Sequence, residues 1–94
     1  MAAVTQKSAL EYAPTQLYVG GRWRDAGEGA TFAVSDPATG KTLVEVADAT
    51  VADGKAALDA AVAAQAEWAA TDPRARSEIL RSAFELLTER TDTF

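Results

Sequence analysis

Three residue types are missing from this 94-residue chain: cysteine, histidine and asparagine. Without cysteine and histidine the chain can form no disulfide, no zinc site of the usual ligands and no cysteine or serine–histidine nucleophile. Without asparagine it offers no acceptor for an N-linked sugar. Histidine is also the side chain that most often transfers protons near neutral pH. The remaining candidates for chemistry are carboxylates, lysine and hydroxyl groups.

Long apolar runs and positive charge are scarce as well. No run approaches the ~18 apolar residues that a membrane span needs, and the first residues lack the apolar core of a signal peptide. The formal net charge is −5 and the pI is about 4.5, which leaves little positive charge for binding nucleic acid or an anionic membrane. We therefore expect a cytoplasmic protein that binds neither nucleic acid nor membrane.

The chain is short enough for one small domain, and its pattern changes near residue 17. Residues 1–16 show no sustained periodicity and predict a flexible arm. Residues 17–94 predict two short β-hairpins followed by two α-helices. Gly20-Gly21, between LYV and RWR, favours a type I′ turn in the first hairpin, and the segments TFAVSDP and TLVEVAD supply the second.

The stretch SDPATGKT, which begins at Ser35, differs at one position from a phosphate-binding loop. Ser35 stands where the pattern requires glycine, whereas Gly40, Lys41 and Thr42 match. A phosphate loop leads from a strand into a helix, whose first N–H groups bind the phosphates. Here a β-branched strand pattern follows, so we interpret the stretch as a turn. The stretch GEGATF, residues 27–32, fails as a dinucleotide fingerprint because strand residues follow it too.

Two helices are predicted for the second half of the chain. Thr50 and Asp53 resemble a capping box at the start of a helix that runs to about Ala70. We interpret Trp68 as a buried anchor at the end of this helix. Asp72 as N-cap, with proline next, predicts the start of the second helix. The second helix has an apolar stripe formed by Ile79, Leu80, Ala83, Phe84 and Leu87.

Charged residues occupy the other side of the second helix. Arg74 with Glu78 and Arg81 with Glu85 have i,i+4 spacing, which predicts exposed ion pairs rather than catalytic carboxylates. The apolar stripe continues at helical spacing to Phe94, and no glycine or proline ends it. A natural domain rarely ends within such a pattern. We therefore expect the chain to be the front part of a longer protein.

Three segments, taken in order, carry a family resemblance. They are QLYVGGRWRDAG, TFAVSDPATGKTLVEVADAT and EWAATDPRARSEILRSAFELLTERTDTF. Their order over residues 16–94 resembles the amino-terminal segment of aldehyde dehydrogenases, which have a GG-W hairpin, an F-V-NPATG turn and an R--ILR---LL helix. Asp36 departs from the asparagine that is usual before the proline, but it keeps turn chemistry. Within the superfamily, the alanine-rich helix and the helix after it most resemble the bacterial succinate-semialdehyde dehydrogenases.

The resemblance implies an α/β parent fold with a Rossmann-type cofactor domain, in a homo-oligomeric enzyme that uses NAD or NADP. It also implies oxidation of an aldehyde substrate to an acid, with a cysteine nucleophile, a glutamate base and an asparagine in the oxyanion hole. In the family these residues and the cofactor-binding glycines lie further along the sequence. We therefore predict no catalytic, cofactor-binding or metal-binding residue in this chain, which alone would be inactive and bind no cofactor.

A reading from a different class stays open beside the truncated enzyme. The chain could be a free-standing interaction module whose two helices form a partner-binding hairpin, without enzymatic activity. The stripe that continues to Phe94 favours the truncated enzyme, since a module is expected to end after a capped helix or a polar tail. A phosphate-binding domain that uses Lys41 is a third and weaker hypothesis.

Overall fold

The computed structural model describes residues 10–94. Over that range the elements are β1 Leu17–Val19, β2 Arg22–Arg24, β3 Thr31–Ser35, β4 Thr42–Ala47, α1 Val51–Ala70 and α2 Pro73–Glu89. The strands form two separate two-stranded sheets, β1 with β2 and β3 with β4, both antiparallel. The prediction of two hairpins followed by two helices is confirmed. Most of the predicted arm, residues 1–16, lies outside the described range.

The chain divides into two units, which are described separately. One is Ala13–Gln65, which holds both sheets and most of α1, and the other holds residues 66–94 together with residues 10–12. Among residues 10–94, Ala26 is the one buried hydrophobic side chain and Asp53 the one buried charged side chain, at 5% and 4% exposure. Both belong to Ala13–Gln65. An apolar core of the size that stabilises an independent domain is therefore absent from the described part of the chain.

The first hairpin turns on two glycines. Gly20 and Gly21 have φ angles of 61° and 81°, the positive values that a type I′ turn requires at both central positions. The turn places Tyr18 opposite Trp23, and their ring centroids lie 4.8 Å apart. Cross-strand aromatic pairs of this kind stabilise a hairpin beyond its backbone hydrogen bonds. The predicted turn type is confirmed.

The second hairpin contains the stretch that resembled a phosphate loop. The Asp36 carboxylate accepts the Ala38 N–H at 2.9 Å, and the Asp36 carbonyl accepts the Gly40 N–H at 2.7 Å. Gly40 has a φ of 75°, a left-handed conformation that favours glycine. Thr42 then begins β4 rather than a helix. The stretch is a turn, as predicted.

Helix α1 exposes the tryptophan near its end. The Trp68 side chain is 46% exposed, so the prediction of a buried anchor is wrong for this chain. The spacing of apolar residues in the sequence shows which face of a helix a residue occupies. Burial also requires a second element that packs against that face. The described residues do not provide that surface for Trp68.

Helix α2 begins where the sequence predicts and ends earlier. Asp72 holds the N-cap position with Pro73 as the first helical residue, although the Asp72 side chain makes no capping hydrogen bond. The helix ends at Glu89, so its predicted continuation to Phe94 is wrong. The Thr91 hydroxyl donates to the Thr88 carbonyl at 2.7 Å, and such side-chain hydrogen bonds compete with regular helix.

The two faces of α2 differ as expected. Arg74 and Glu78 approach to 3.8 Å, and Arg81 and Glu85 approach to 3.3 Å, with all four side chains mostly exposed. These predicted ion pairs are confirmed, and exposed pairs of this kind add little stability. The apolar stripe is exposed too, because none of the helix's residues is buried.

Candidate functional site

The carboxylate of Asp53 joins three segments of Ala13–Gln65. Its Oδ2 accepts the N–H groups of Gly27 and Thr50, both at 2.8 Å. Its Oδ1 accepts a hydrogen bond from Nη1 of Arg24 at 2.9 Å. The cluster thus ties the end of β2 and the loop after it to the first turn of α1.

The capping box explains why Asp53 lies where it does. Thr50 Oγ1 accepts the Asp53 N–H at 3.1 Å, while the Asp53 carboxylate accepts the Thr50 N–H in return. Two of the N–H groups that a helix start leaves unpaired are satisfied in this way. The predicted capping box is confirmed. It also turns the carboxylate back toward the chain that precedes the helix, where the loop after β2 lies.

Glycine at position 27 permits the close approach of that loop. A Cβ at Gly27 would lie 3.2 Å from Oδ1 of Asp53 and 3.5 Å from Oγ1 of Thr50. The Asp53 oxygen would have to move by a few tenths of an ångström to admit a larger residue, whereas the distance to Thr50 is an ordinary contact. Gly27 lies in a turn that is closed by a hydrogen bond from the Gly29 N–H to the Ala26 carbonyl at 2.8 Å. The loop therefore presents a backbone N–H, rather than a side chain, to the carboxylate.

The surroundings of Asp53 lower its pKa well below its ordinary value. The largest contributions are the hydrogen bonds from the Gly27 and Thr50 backbone N–H groups, and burial opposes them in part. The Arg24 guanidinium and the Thr50 side chain lower the pKa further. Each effect that lowers it stabilises the charged form. Asp53 is therefore ionised throughout the neutral range and is poorly suited to act as a general base, for which a pKa near the working pH is best.

The nucleotide motifs considered from the sequence form no phosphate cradle. Lys41 belongs to the second hairpin turn, where its N–H donates to Thr39 Oγ1 at 3.2 Å, and the strand β4 follows. The stretch at residues 27–32 leads into β3. Neither reaches the start of a helix, so neither directs helical N–H groups at an anion.

Two further properties concern the described residues only. In residues 10–94 no group of three or more acidic side chains is placed to hold a metal ion. Over the same range, no helix is both long and apolar enough to cross a bilayer.

Sequence reasoning found part of the Asp53 cluster and missed the rest. Thr50 and Asp53 are three residues apart and follow a known capping pattern. Arg24 and Gly27 are 29 and 26 residues away from Asp53, and no short-range pattern connects them to it. The one available signal was the capping box itself. If the Asp53 carboxylate is buried, both of its oxygens need hydrogen-bond donors, and the capping box supplies only the Thr50 N–H.

Comparison with known proteins gives two matches. The model of the "Aldehyde dehydrogenase family" matches residues 23–94. A crystal structure of succinate-semialdehyde dehydrogenase from Burkholderia pseudomallei is similar to this chain, with 41% identity and a TM-score of 0.76. That similarity covers 81% of this chain and 16% of the solved one. The chain therefore spans about a sixth of the length of the enzyme it matches.

Proposed function

Because the chain belongs to the aldehyde dehydrogenase family, we propose that it is the amino-terminal part of an NAD(P)-dependent aldehyde dehydrogenase. The two hairpins and two helices are consistent with a fragment of that fold. In this proposal the chain forms an outer part of the Rossmann-type cofactor domain. The Asp53 cluster then has a structural role, since its oxygens are already engaged by partners within the chain.

We infer that the substrate of the longer enzyme is succinate semialdehyde, which it oxidises to succinate. The observation that carries this inference is the 41% identity over 81% of the chain with a succinate-semialdehyde dehydrogenase. We propose that the residues that would contact the substrate lie outside the shared segment. The proposal therefore rests on relatedness, and a substrate assay is its direct test.

The described residues do not fit a nicotinamide cofactor. Neither glycine-containing stretch opens a helix, and a dinucleotide fold requires a glycine-rich turn that does. We therefore assign cofactor binding and catalysis to the remainder of the longer protein. The chain alone is proposed to be inactive and to bind neither NAD nor NADP. For the longer protein we propose a cytoplasmic homo-oligomer.

The test compares the 94-residue chain with the longer product of the same reading frame. Each is incubated with NAD or NADP and succinate semialdehyde, and reduced cofactor is followed by its absorbance. Butanal, which has the same carbon chain but no carboxylate, is the control substrate. We expect the longer product to prefer succinate semialdehyde over butanal by at least about tenfold in kcat/KM. A site that pairs with the substrate carboxylate is left with unpaired polar groups when it binds an aldehyde without one.

Different results contradict different parts of the proposal. Equal rates with butanal would leave an aldehyde dehydrogenase and remove the succinate semialdehyde assignment. No oxidation of any short aldehyde by the longer product would contradict the proposed enzyme. Activity of the 94-residue chain alone would show that catalytic groups were missed.

The alternative of a helical-hairpin interaction module draws on one observation, the exposed apolar stripe of α2. A module would end its reading frame at or near Phe94 and would use that stripe to bind a separate protein. A frame that continues into a catalytic cysteine segment would exclude it. The extent of the reading frame therefore separates the two functions before any assay.

A further inference from the structure

Asp53 is the one aspartate of this sequence that a glycine follows. In an Asp–Gly sequence the amide nitrogen of the glycine can attack Cγ of the aspartate, because glycine has no side chain to obstruct the approach. The product is a five-membered succinimide ring, which water opens either to isoaspartate or back to aspartate. Asp53–Gly54 is therefore the place in this chain where the sequence most favours isomerisation of an aspartate.

Neither backbone conformation nor close packing requires glycine at position 54. Its φ is not positive, unlike that of Gly40. Within residues 10–94, no atom beyond its chain neighbours and the local helix backbone lies within 4 Å of a Cβ added there. A glycine inside a helix also destabilises it relative to alanine. What Gly54 does provide is an unobstructed amide nitrogen directly after Asp53.

The folded structure opposes closure of the succinimide ring. The ring requires Cβ of Asp53 and the Gly54 nitrogen to lie nearly eclipsed about the Cα–C bond, whereas a helical ψ of about −42° holds them apart. The Gly54 N–H, which must lose its proton before the nitrogen attacks, donates to the Thr50 carbonyl at 3.1 Å. The Asp53 carboxylate accepts hydrogen bonds from Gly27, Thr50 and Arg24. These bonds fix it toward the chain that precedes the helix.

The protonation state of Asp53 adds to this protection. Ring closure proceeds through the neutral carboxyl group, since its OH can leave as water and an ionised carboxylate has no such leaving group. The backbone N–H groups of Gly27 and Thr50, and then the Arg24 guanidinium, lower the pKa of Asp53. The reactive neutral form is therefore rarer in the closed structure than in an opened chain at the same pH.

We propose that Asp53–Gly54 is a site of aspartate isomerisation, which the Asp53 cluster keeps inactive and which becomes reactive when the first turn of α1 opens. In the first step the bond between the Gly54 nitrogen and Cγ forms, and the amide proton and the carboxyl OH leave as water. In the second step water adds to the main-chain carbonyl carbon of Asp53 and breaks its bond to that nitrogen. The chain then continues through Cγ, and no oxidant or cofactor takes part.

Isomerisation makes the opening of the first turn permanent. The backbone of isoaspartate is longer by one methylene, which breaks the hydrogen-bond register of the helix start. Its free carboxylate is attached directly to Cα, so it no longer reaches the Gly27 N–H from the same position. The loop after β2 is thereby released from α1. The inference concerns residues of this chain alone and does not rest on the proposed function.

The test follows isomerisation in the full product of the reading frame. Samples are incubated at neutral pH with and without urea, at one temperature below Tm that is high enough for measurable conversion of the folded protein. Trypsin releases the peptide of residues 42–55, in which isoaspartate changes the retention time but not the mass, and electron-based fragmentation locates it. We expect conversion at Asp53 to be at least about tenfold faster in urea, because the open form is a minor population of the folded protein.

Two pairs of variants test whether the cluster is the barrier. Thr50→Ala should raise the open population, and conversion of the folded protein with it, about fivefold, whereas Thr50→Ser should stay within about twofold. Arg24→Gln removes the partner of Oδ1 and should accelerate conversion about threefold. Arg22→Gln is the matched control, because Arg22 is exposed on the same strand and belongs to none of the ion pairs within residues 10–94. In urea all four variants should convert at the rate of the unchanged protein.

The outcomes separate the site from its protection. Gly54→Ala obstructs the amide nitrogen and should slow conversion in urea severalfold; a rate equal to that of the unchanged protein, or no isoaspartate at Asp53 in urea, overturns the site. Equal rates with and without urea overturn the protection by the fold. Folded-state rates of T50A and R24Q that match those of T50S and R22Q overturn the role of the cluster. None of these measurements uses enzymatic activity, so the inference and the proposed function fail independently.

Discussion

Replacing Thr50 with alanine removes one hydrogen bond from the start of α1. Thr50 Oγ1 no longer accepts the Asp53 N–H, whereas the Thr50 N–H still reaches the carboxylate because that bond uses the backbone. Replacement of an N-cap threonine by alanine costs about 1 kcal/mol. If the first turn opens locally, that energy raises its open population about fivefold. We expect amide hydrogen exchange at Gly54, whose N–H donates to the Thr50 carbonyl at 3.1 Å, to accelerate about fivefold.

Residue-resolved exchange by NMR measures this change, and two variants control it. Thr50→Ser keeps a capping oxygen and should leave the rate at Gly54 within about twofold of the original. Thr88→Ala makes the same chemical change within α2, where the hydroxyl donates to the Phe84 carbonyl, and should not destabilise its helix. If T50S accelerates exchange as much as T50A, the cap is not what holds the first turn.

Four further substitutions test the Asp53 cluster, the second hairpin turn and helix α1. The folded-state pKa of Asp53 lies below its ordinary 3.8, so its stabilisation is fully present above about pH 3.8 and is lost as the pH falls from there through the lower folded-state pKa. Asp53→Asn should flatten this acid dependence in urea titrations between about pH 5 and pH 2. Gly40→Ala forces a non-glycine residue to a φ of 75° and should cost about 1–2 kcal/mol by thermal melting, whereas Gly54→Ala in α1 should stabilise by up to about 1 kcal/mol. Lys41→Ala should leave ATP binding unchanged by calorimetry, since Lys41 belongs to a hairpin turn.

The outcomes that contradict these predictions are specific. An acid dependence as steep in D53N as in the unchanged chain would place its origin at other carboxylates. The two glycine positions have no atom within 4 Å of an added Cβ, so steric clash cannot explain a difference between G40A and G54A. Equal effects of both would remove the conformational argument. ATP binding that is lost in K41A would revive the phosphate-loop hypothesis.

Features that depend on near neighbours in sequence were predictable. The turn at Gly20-Gly21, the capping box at Thr50 and Asp53, and the start of α2 after Asp72 each arise from interactions over a few residues. Those interactions are encoded by which residue occupies which offset. The stretch SDPATGKT resembles a phosphate-binding loop, but the strand pattern that follows it correctly predicted a hairpin turn.

Burial and helix length were predicted less well. Spacing alone extended the stripe of α2 to Phe94, but threonine hydroxyls near its end bond to backbone carbonyls and the helix ends at Glu89. Spacing also suggested a buried Trp68, because an aromatic residue on a helix face usually contacts a core. Whether such a face is covered depends on what lies against it, which periodicity does not report.

By itself the sequence determined the local elements, the kinds of turn and the family, because each of these is written in short offsets or in the order of a few motifs. Only the tertiary structure decided that Arg24 and Gly27 contact Asp53. The physical reason is distance along the chain. A hydrogen bond across 26 or 29 residues depends on how a strand, a loop and a helix pack, and no local pattern specifies that packing.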